Sequence, residues 1–187
     1  MSTPLHPCLA ELCAELAQSR ARLLDEVARV PVELAPIRPA PGDWSVAEIV
    51  EHLQIVEDGI GRLLGKLAKQ ADTLGPETRS ASVLHNLDDF DVRSRRRQIQ
   101  APAPVCPSGA ATLDESLGRL ATSRTRLVEL LAALSGRALG QLSASHRLLG
   151  ELDFYQWLLF LSQHEERHTV QIRETGARVS RTTATTS

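Results

Sequence analysis

The segment from Leu152 to Glu174 restricts the fold of this chain more than any other part of the sequence. Its apolar residues recur with the 3.6-residue period of an amphipathic helix: Phe154, Trp157, Leu158, Leu161 and Ile172. Between Leu161 and Ile172 the stripe is filled by His164 and His168, which are four residues apart and project from one side of a helix. Because an unpaired buried polar group is costly, two imidazoles on a core-facing stripe must be hydrogen-bonded or bound to a ligand.

Three further segments carry leucine-rich stripes at helical spacing, over about residues 5–30, 45–69 and 112–134. The second starts at a predicted capping box formed by Ser45 and Glu48. Residues 136–150 are expected to form a loop, and no segment alternates convincingly as a strand does. Four helices of ~20 or more residues predict an all-α four-helix bundle. We expect Gly176 to end helix four, which gives a single domain over residues 1–176 and a polar tail over residues 177–187.

The positions of three histidines along their helices predict the topology. His52 is related to the apolar residues Ile49 and Val56 by steps of three and four, so it faces the core side of helix two. It lies early in helix two, whereas His164 and His168 lie late in helix four. At 1.5 Å per residue, the three come level only if these two helices run antiparallel. The long connection over residues 70–111 can cross the bundle, which predicts an up-down-down-up arrangement with the crossover between helices two and three.

Composition and charge exclude several classes of partner. The net charge is -2, and the basic run Arg93–Arg97 follows three aspartates, so we expect a mixed-charge surface there and no nucleic-acid partner. No apolar run of ~18 residues and no signal pattern is present, so no membrane partner is expected. The three cysteines, Cys8, Cys13 and Cys106, have no disulfide-framework spacing, which favours a reducing, cytoplasmic location.

Four segments of the chain resemble the DinB-like family: PGDWSVAEIVEHL, APAPVCPSG, SHRLLGEL and QHEERHTVQI, in this order within residues 5–175. The resemblance implies a four-helix bundle with up-down-down-up connectivity, frequent homodimers and a divalent-metal site with three histidine ligands. These ligands fall on His52, His164 and His168. Characterised relatives include thiol-dependent transferases and isomerases, so the resemblance implies a low-molecular-weight thiol as cosubstrate.

The residue types agree with a metal site. Three neutral imidazoles suit Zn²⁺, Ni²⁺, Fe²⁺ or Mn²⁺ and leave coordination positions open for water or substrate. A structural zinc site would use four protein ligands, commonly cysteines, and no cysteine stands near these motifs in the sequence. The alternative is three core histidines satisfied by hydrogen bonds. The expected walls of the pocket are Trp44, Leu53, Val56 and Leu161.

Two further residues are candidates for a catalytic role. The letters from His164 to His168 also spell the H-E-x-x-H motif of zinc proteases, but only 19 residues follow His168, none of them histidine. Glu165 is a candidate partner of a metal ligand, a candidate proton acceptor near the metal, or a charge on the helix flank. Arg167 and Gln171 are expected on a polar flank or at a subunit contact. His146 is a candidate acid–base group at the pocket mouth or a surface histidine.

Two classes of function stay open at this point. The first is a metal-dependent enzyme, either a thiol S-transferase or isomerase, or a hydrolase. The second is a stress-linked metal- or ligand-binding protein without turnover. An open coordination position at the bottom of a ligand-sized cleft would favour the enzyme.

Overall fold

Four long α-helices build the computed structural model, which describes residues 4–95 and 100–185. They are α1 (Pro7–Ala28), α2 (Val46–Ala68), α3 (Leu113–Ala133) and α4 (Phe154–Thr185). Short 3₁₀ helices lie at Ala71–Thr73, Asp88–Phe90, Ala103–Val105 and Leu139–Gln141, and two strands, β1 (Ser143–His146) and β2 (Gly150–Asp153), precede α4. The predicted four-helix bundle is confirmed.

Contacts between the helices show their directions. Between α1 and α4, they join Ser19 to Glu165 and Glu26 to Arg173. His52 of α2 contacts His164 of α4, and Asp43, three residues before α2, contacts Arg178 of α4. Residue numbers rise together across the first pair of helices, so α1 and α4 are parallel. They run in opposite senses across the second pair, so α2 and α4 are antiparallel. Ser108, just before α3, contacts Glu51 of α2, and Arg124 of α3 contacts Glu57 of α2, so α3 is parallel to α2. The long connection after α2 therefore crosses the bundle, as expected, and the arrangement is up-down-down-up.

Capping boxes fix the starts of the two central helices. The hydroxyl of Ser45 accepts the Glu48 N–H at 3.2 Å, and the Glu48 carboxylate accepts the Ser45 N–H at 2.9 Å, which confirms the predicted capping box. Thr112 and Glu115 make the same pair of bonds at the start of α3. Because each box satisfies N–H groups that have no partner inside the helix, it defines the register in which α2 and α3 enter the bundle.

A layer of buried polar residues divides the core into two hydrophobic clusters. One contains Leu12, Leu64, Leu131 and Leu158, and the other contains Leu23, Ile49, Leu120 and Ile172. On each helix, buried polar residues lie between the residues of the two clusters: Ser19 on α1, Glu57 on α2, Ser123 on α3 and Glu165 and His168 on α4. Two groups of this layer recur below. We call Arg20, Glu57, Arg124 and Glu165 the ion quartet, and His52, His164 and His168 the histidine cluster.

The region before α4 is a β-hairpin and not the expected loop. Strands β1 and β2 pair antiparallel with Ser143 opposite Asp153 and His146 opposite Gly150. The hydroxyls of Ser143 and Ser145 donate to Glu151 on the other strand, at 2.7 and 2.6 Å. Strands of four mostly polar residues contain no alternation of apolar residues long enough to be recognised in the sequence.

The prediction that Gly176 ends helix four is wrong, because α4 continues to Thr185. A Cβ atom at position 176 would lie 2.8 Å from the Cγ2 of Val30. Glycine at this position therefore serves the close approach of two chain segments and not a helix stop. The residues that were expected to form a polar tail continue the helix, and Val179 among them is buried. Residues 186 and 187 of that tail lie outside the described ranges.

Ion pairs cover much of the surface around the crossover. Arg93 binds the carboxylates of Glu15 and Glu166, and Arg95 binds Glu174. Arg96 and Arg97 of the predicted mixed-charge surface lie outside the residues that the structure describes. Over the described ranges, none of the helices has the length and apolar character that crossing a membrane requires.

Candidate metal centre

Three histidine nitrogens converge where α2 passes α4. The Nε2 atom of His164 lies 3.4 Å from that of His52 and 3.2 Å from that of His168. The three ligand atoms all lie within 4.8 Å of one another. Nitrogens bound to a tetrahedral zinc ion at 2.0–2.1 Å are about 3.3 Å apart, so these distances suit a shared metal ion. The prediction that His52 comes level with the two histidines of α4 is confirmed.

Hydrogen bonds from the opposite ring nitrogens orient two of the three imidazoles. The Nδ1–H of His52 donates to the Val105 carbonyl at 2.7 Å, and the Nδ1–H of His168 donates to Gln171 Oε1 at 2.8 Å. Each bond leaves the Nε2 of the same ring with its lone pair directed at the cluster. His164 has only one proton for its Nε2, so it cannot satisfy both neighbours. At least one of the Nε2 lone pairs of His52 and His168 therefore lacks a hydrogen-bond donor. A cation bound among the three Nε2 atoms would supply the missing partner.

The surroundings keep the cluster neutral. Burial lowers the pKa of His52, although its bond to Val105 acts in the opposite direction. Burial lowers the pKa values of His164 and His168 well below the usual 6.5, and the neighbouring histidines and Arg167 lower them further. Neutral imidazole is the form that binds a metal ion, so these groups need not lose protons at pH 7 before they coordinate one.

Aromatic rings enclose the cluster on two sides. The Trp44 ring lies 4.9 Å from that of His52, and Phe160 stacks on His164 with 5.4 Å between ring centroids. The three aliphatic wall residues that the sequence suggested lie in the two hydrophobic clusters: Leu53 with Trp44 in one, Val56 and Leu161 in the other. The sequence analysis missed Phe160, although its position four residues before His164 places both on one helix face.

Comparison with known proteins gives the family. The sequence model of the DinB superfamily matches residues 9–172, which is most of the chain. The chain belongs to the DinB superfamily. It is 22% identical over 165 residues to the uncharacterized protein YuaE of Bacillus subtilis (strain 168), a match that covers 88% of this chain and 96% of that protein. The crystal structure of TT2238, a four-helix bundle protein, superposes with a TM-score of 0.60 at 21% identity, over 88% of this chain and 98% of that one.

Glu165 of this DinB-superfamily chain lies in the ion quartet and not beside the histidines. Its carboxylate accepts bonds from the Ser19 hydroxyl and from Arg20 Nε at 2.6 Å, and it lies 3.5 Å from Arg124. It is 2% exposed, so neither proposed location, beside the metal or on the helix flank, describes it. Both oxygens of the Glu165 carboxylate are bonded to side chains of α1, and Arg124 of α3 lies beside them. In a zinc protease the glutamate of H-E-x-x-H acts as the general base. Glu165 is bound in the ion quartet instead, which argues against that interpretation.

His146 lies one aromatic ring away from the cluster. Its ring centroid is 4.6 Å from that of Phe160, which in turn stacks on His164. Its Nδ1 accepts the backbone N–H groups of Leu148 and Leu149 at 3.2 Å, so the ring proton is on Nε2. Burial lowers its pKa. The acid–base role of His146 stays a prediction.

The segment before α3 also supports the histidine cluster, and this contribution was not predicted from the sequence. Glu51 accepts hydrogen bonds from the N–H and hydroxyl of Ser108 and from the N–H of Gly109, at 3.1, 2.6 and 2.9 Å. These bonds anchor the segment whose Val105 carbonyl binds His52. Cys106 follows Val105 directly, so a cysteine does lie near the centre, but its thiol donates to the Ala101 carbonyl at 3.5 Å.

The two residues expected on a polar flank of helix four both belong to the surroundings of the cluster. Gln171 holds His168, as described above. Arg167 is only 9% exposed, and its charge is close enough to lower the pKa values of His164 and His168. The field at the cluster is therefore positive, which favours an anion as a further ligand of any metal bound there.

Proposed function

We propose that this DinB-superfamily protein is a metal-dependent enzyme of the thiol S-transferase or isomerase type. The observation that carries the proposal is the convergence of three neutral imidazole nitrogens, of which that of His164 belongs to a partly exposed residue. Among the described residues, no further histidine, cysteine or carboxylate joins this group. A purely structural metal site needs a closed set of protein ligands, whereas three histidines leave a position for a substrate.

His52, His164 and His168 would hold the metal, and Zn²⁺, Ni²⁺, Fe²⁺ and Mn²⁺ all suit the set. When bound, such an ion supplies a Lewis acid that lowers the pKa of a thiol and so generates the nucleophile. Because the three ligands are neutral and Arg167 adds positive charge, an anionic ligand such as thiolate or hydroxide is favoured. The family resemblance favours thiolate over hydroxide, and hydroxide would make the protein a hydrolase.

Residues of the chain itself prepare the site. Val105 and Gln171 hold two ligand rings in one tautomer, and Trp44 and Phe160 limit the access of water. We assign to His146 a hydrogen bond from its Nε2–H to a bound ligand, since burial lowers its pKa and its Nδ1 already accepts two backbone N–H groups. The thiol would come from a diffusible cosubstrate, because Cys106 directs its Sγ to the Ala101 and Pro102 carbonyls.

Cobalt loading tests the proposal. Glutathione, mycothiol, bacillithiol and coenzyme A are added in turn to the cobalt-loaded protein, and a thiolate that enters the shell gives a sulfur-to-cobalt charge-transfer band in the near ultraviolet. His164→Ala should lose the band together with the metal, and Gln141→Ala, an exposed residue away from the site, should keep both. If no thiol changes the spectrum or supports turnover with chlorodinitrobenzene or a maleylpyruvate-type acceptor, the proposal is wrong. Hydrolysis or binding without turnover would then become the leading hypothesis.

We also propose that the protein is a homodimer, as the family resemblance implies. Leu24 on α1 and Val170 on α4 are exposed, at 45% and 37%, and lie at the same level of two adjacent parallel helices. Such a pair is a natural part of an apolar contact between subunits. Light scattering at tens of micromolar should give twice the mass of the chain, and a monomer mass would refute the dimer. The cytoplasmic location stays a prediction based on the cysteines.

A further inference from the structure

A cavity of about 490 Å³ adjoins the histidine cluster. Two of its lining residues also contact the cluster. Trp44 packs its ring 4.9 Å from that of His52, and Gln171 accepts the Nδ1–H of His168 at 2.8 Å. A molecule in this cavity would therefore lie against the immediate surroundings of two of the three candidate metal ligands.

The charged residues of the cavity are mostly arginines. They are Arg95, Arg173, Arg178 and Arg181, with the acids Asp43 and Glu174. The described lining thus has two more positive than negative charges, although Glu26, a buried carboxylate outside the lining, already binds Arg173 at 2.8 Å. A second cavity of about 370 Å³ gives the contrast, since its two arginines, Arg119 and Arg126, are balanced by two acids, Asp58 and Glu115.

Two ion pairs inside the larger cavity are weak enough for a ligand to replace their carboxylates. Arg178 lies 2.7 Å from Asp43, and Arg95 lies 3.0 Å from Glu174. The side chains of Asp43 and Glu174 are 43% and 53% exposed, and ion pairs this open to water are weak. A guanidinium group binds a carboxylate or phosphate with two parallel hydrogen bonds, so a ligand oxyanion can replace a weakly held side chain.

The cavity and the cluster share one face of α4. Residues His164, His168, Gln171, Thr175 and Arg178 follow one another by steps of four and three, which places them in a row along the helix. At 1.5 Å per residue, the Cα atom of Arg178 is about 15 Å from that of His168 along the axis. A small molecule of that length could have one end among the arginines and the other at the histidines.

We propose that this cavity binds an oxyanion, the carboxylate or phosphate group of a small molecule whose other end reaches the histidine cluster. The part of the proposal that joins the two sites in one ligand rests on the proposed thiol-dependent function. The binding of an oxyanion in the cavity does not.

Calorimetric titration of the metal-free full-length protein tests the cavity by itself. Inorganic phosphate and malonate are the probes, and malonamide is the uncharged control. We expect at least one anion to bind and malonamide not to bind, with affinity about 10-fold or more lower in Arg178→Ala. Arg178 is 47% exposed, so this variant should fold, as circular dichroism will verify. Arg126→Ala, which alters the other cavity, should bind as the wild type does.

Substitution of the competing carboxylate gives a change of the opposite sign. Asp43→Asn removes the side chain that an incoming oxyanion must replace at Arg178, so the affinity for the anion should rise. A merely structural role of the Arg178–Asp43 pair would make both variants bind more weakly. Failure of both anions to bind, or an equal loss in Arg126→Ala, would overturn the proposal.

Pairs of thiols with and without free anionic groups test the link to the cluster. In the cobalt-loaded protein, 4′-phosphopantetheine is compared with pantetheine, and glutathione with its diethyl ester. We expect the charged member of at least one pair to bind about 10-fold more tightly, and Arg178→Ala to remove that difference without loss of cobalt. The pair that shows the difference identifies phosphate or carboxylate as the anion.

The anion titration and the thiol comparison distinguish a failure of the proposed function from a failure of the oxyanion proposal. A protein that takes up no thiol but binds phosphate or malonate refutes the proposed function and supports the oxyanion cavity. A protein that takes up charged and uncharged thiols equally supports the proposed function and refutes the link between the two sites.

Discussion

The ion quartet and the histidine cluster lie in the same polar layer of the bundle, yet they differ in how completely their groups are paired. The quartet takes one residue from each helix, and its arginines bind both carboxylates, for example Arg20 to Glu165 at 2.6 Å and Arg124 to Glu57 at 2.9 Å. Two positive and two negative charges balance. Burial opposes the charge of Arg124, but Glu57 and Glu165 more than compensate and raise its pKa.

The histidine cluster has no such balance. Its residues come from α2 and α4 alone, no carboxylate of the described chain joins them, and the Nε2 of His164 cannot supply a proton to both neighbouring Nε2 atoms. A buried group that satisfies itself needs nothing from outside and serves the fold. A buried group that does not satisfy itself needs a ligand, which is why we assign function to the cluster and stability to the quartet.

Breaking the quartet should have the largest effect on stability. Glu57→Gln keeps the shape of the side chain and leaves Arg20 and Arg124 with one carboxylate between them. Loss of one partner from a buried ion pair costs about 3–5 kcal/mol, so the free energy of unfolding in urea should fall by that amount. Metal content of the folded protein should not change.

An exposed pair provides the control for this variant. Asp88→Asn removes the carboxylate that His85 contacts at 2.9 Å on the surface, and pairs of this kind contribute about 0–1 kcal/mol. Equal losses of stability in Glu57→Gln and Asp88→Asn would contradict the structural role of the quartet.

Removing a residue of the histidine cluster should lower metal affinity and leave the stability of the fold intact, the reverse of the result expected for the ion quartet. His164→Ala should lower metal affinity by more than about 100-fold, beyond the loss typical of a residue that only supports a ligand, because two imidazoles hold a divalent ion far less well than three. The leucine-rich clusters stay in place, so the metal-free variant should remain folded and could even gain stability. Elemental analysis should find near one metal per chain in the wild type and little in the variant. Full retention of metal would mean that the ligands lie elsewhere.

The residues that orient the ligands should matter less than the ligands. Gln171→Ala removes the acceptor of the His168 Nδ1–H, and the loss of such a partner typically costs about 10–100-fold in metal affinity. A competition titration with a chelator measures it, with Gln141→Ala as the matched control. An unchanged affinity would show that His168 is oriented by packing alone.

The smallest expected effect is that of pH on the metal-free protein. The pKa values of all three cluster histidines are lowered by folding, so below pH ~6.5 the unfolded chain binds protons that the folded chain does not. Stability should therefore be highest above that pH and fall by about 1–2 kcal/mol between pH 7 and pH 6. Urea unfolding in the presence of a chelator measures this slope. His52→Gln should flatten the slope, and an equal slope in that variant would be inconsistent with our account.

The sequence predicted the parts of this molecule that depend on one helix at a time. Stripes at helical spacing gave the four helices, and the levels of His52, His164 and His168 gave the direction of α4 relative to α2. Both follow from fixed helical geometry, so no knowledge of neighbours was needed. The Ser45–Glu48 capping box is similarly local.

The errors concern residues whose surroundings come from distant segments. Glu165 binds residues of two other helices, α1 and α3, and no pattern within α4 reveals them. Gly176 has the residue type of a helix end, but its contact with Val30 decides its role. Val105 supports His52 through a backbone carbonyl, which any residue type could supply, so the sequence contains no signal for it.

The pairing of α1 with α4 also has a consequence for the order of assembly during synthesis. Their contacts, such as Ser19 with Glu165, join residues 146 positions apart, so of the four helices α1 leaves the ribosome first and waits longest for its partner. Only His52 of the candidate ligands precedes the hairpin. A growing chain therefore cannot assemble the three-histidine cluster until α4 has emerged, so completion of the cluster and closure of the bundle become coincident events.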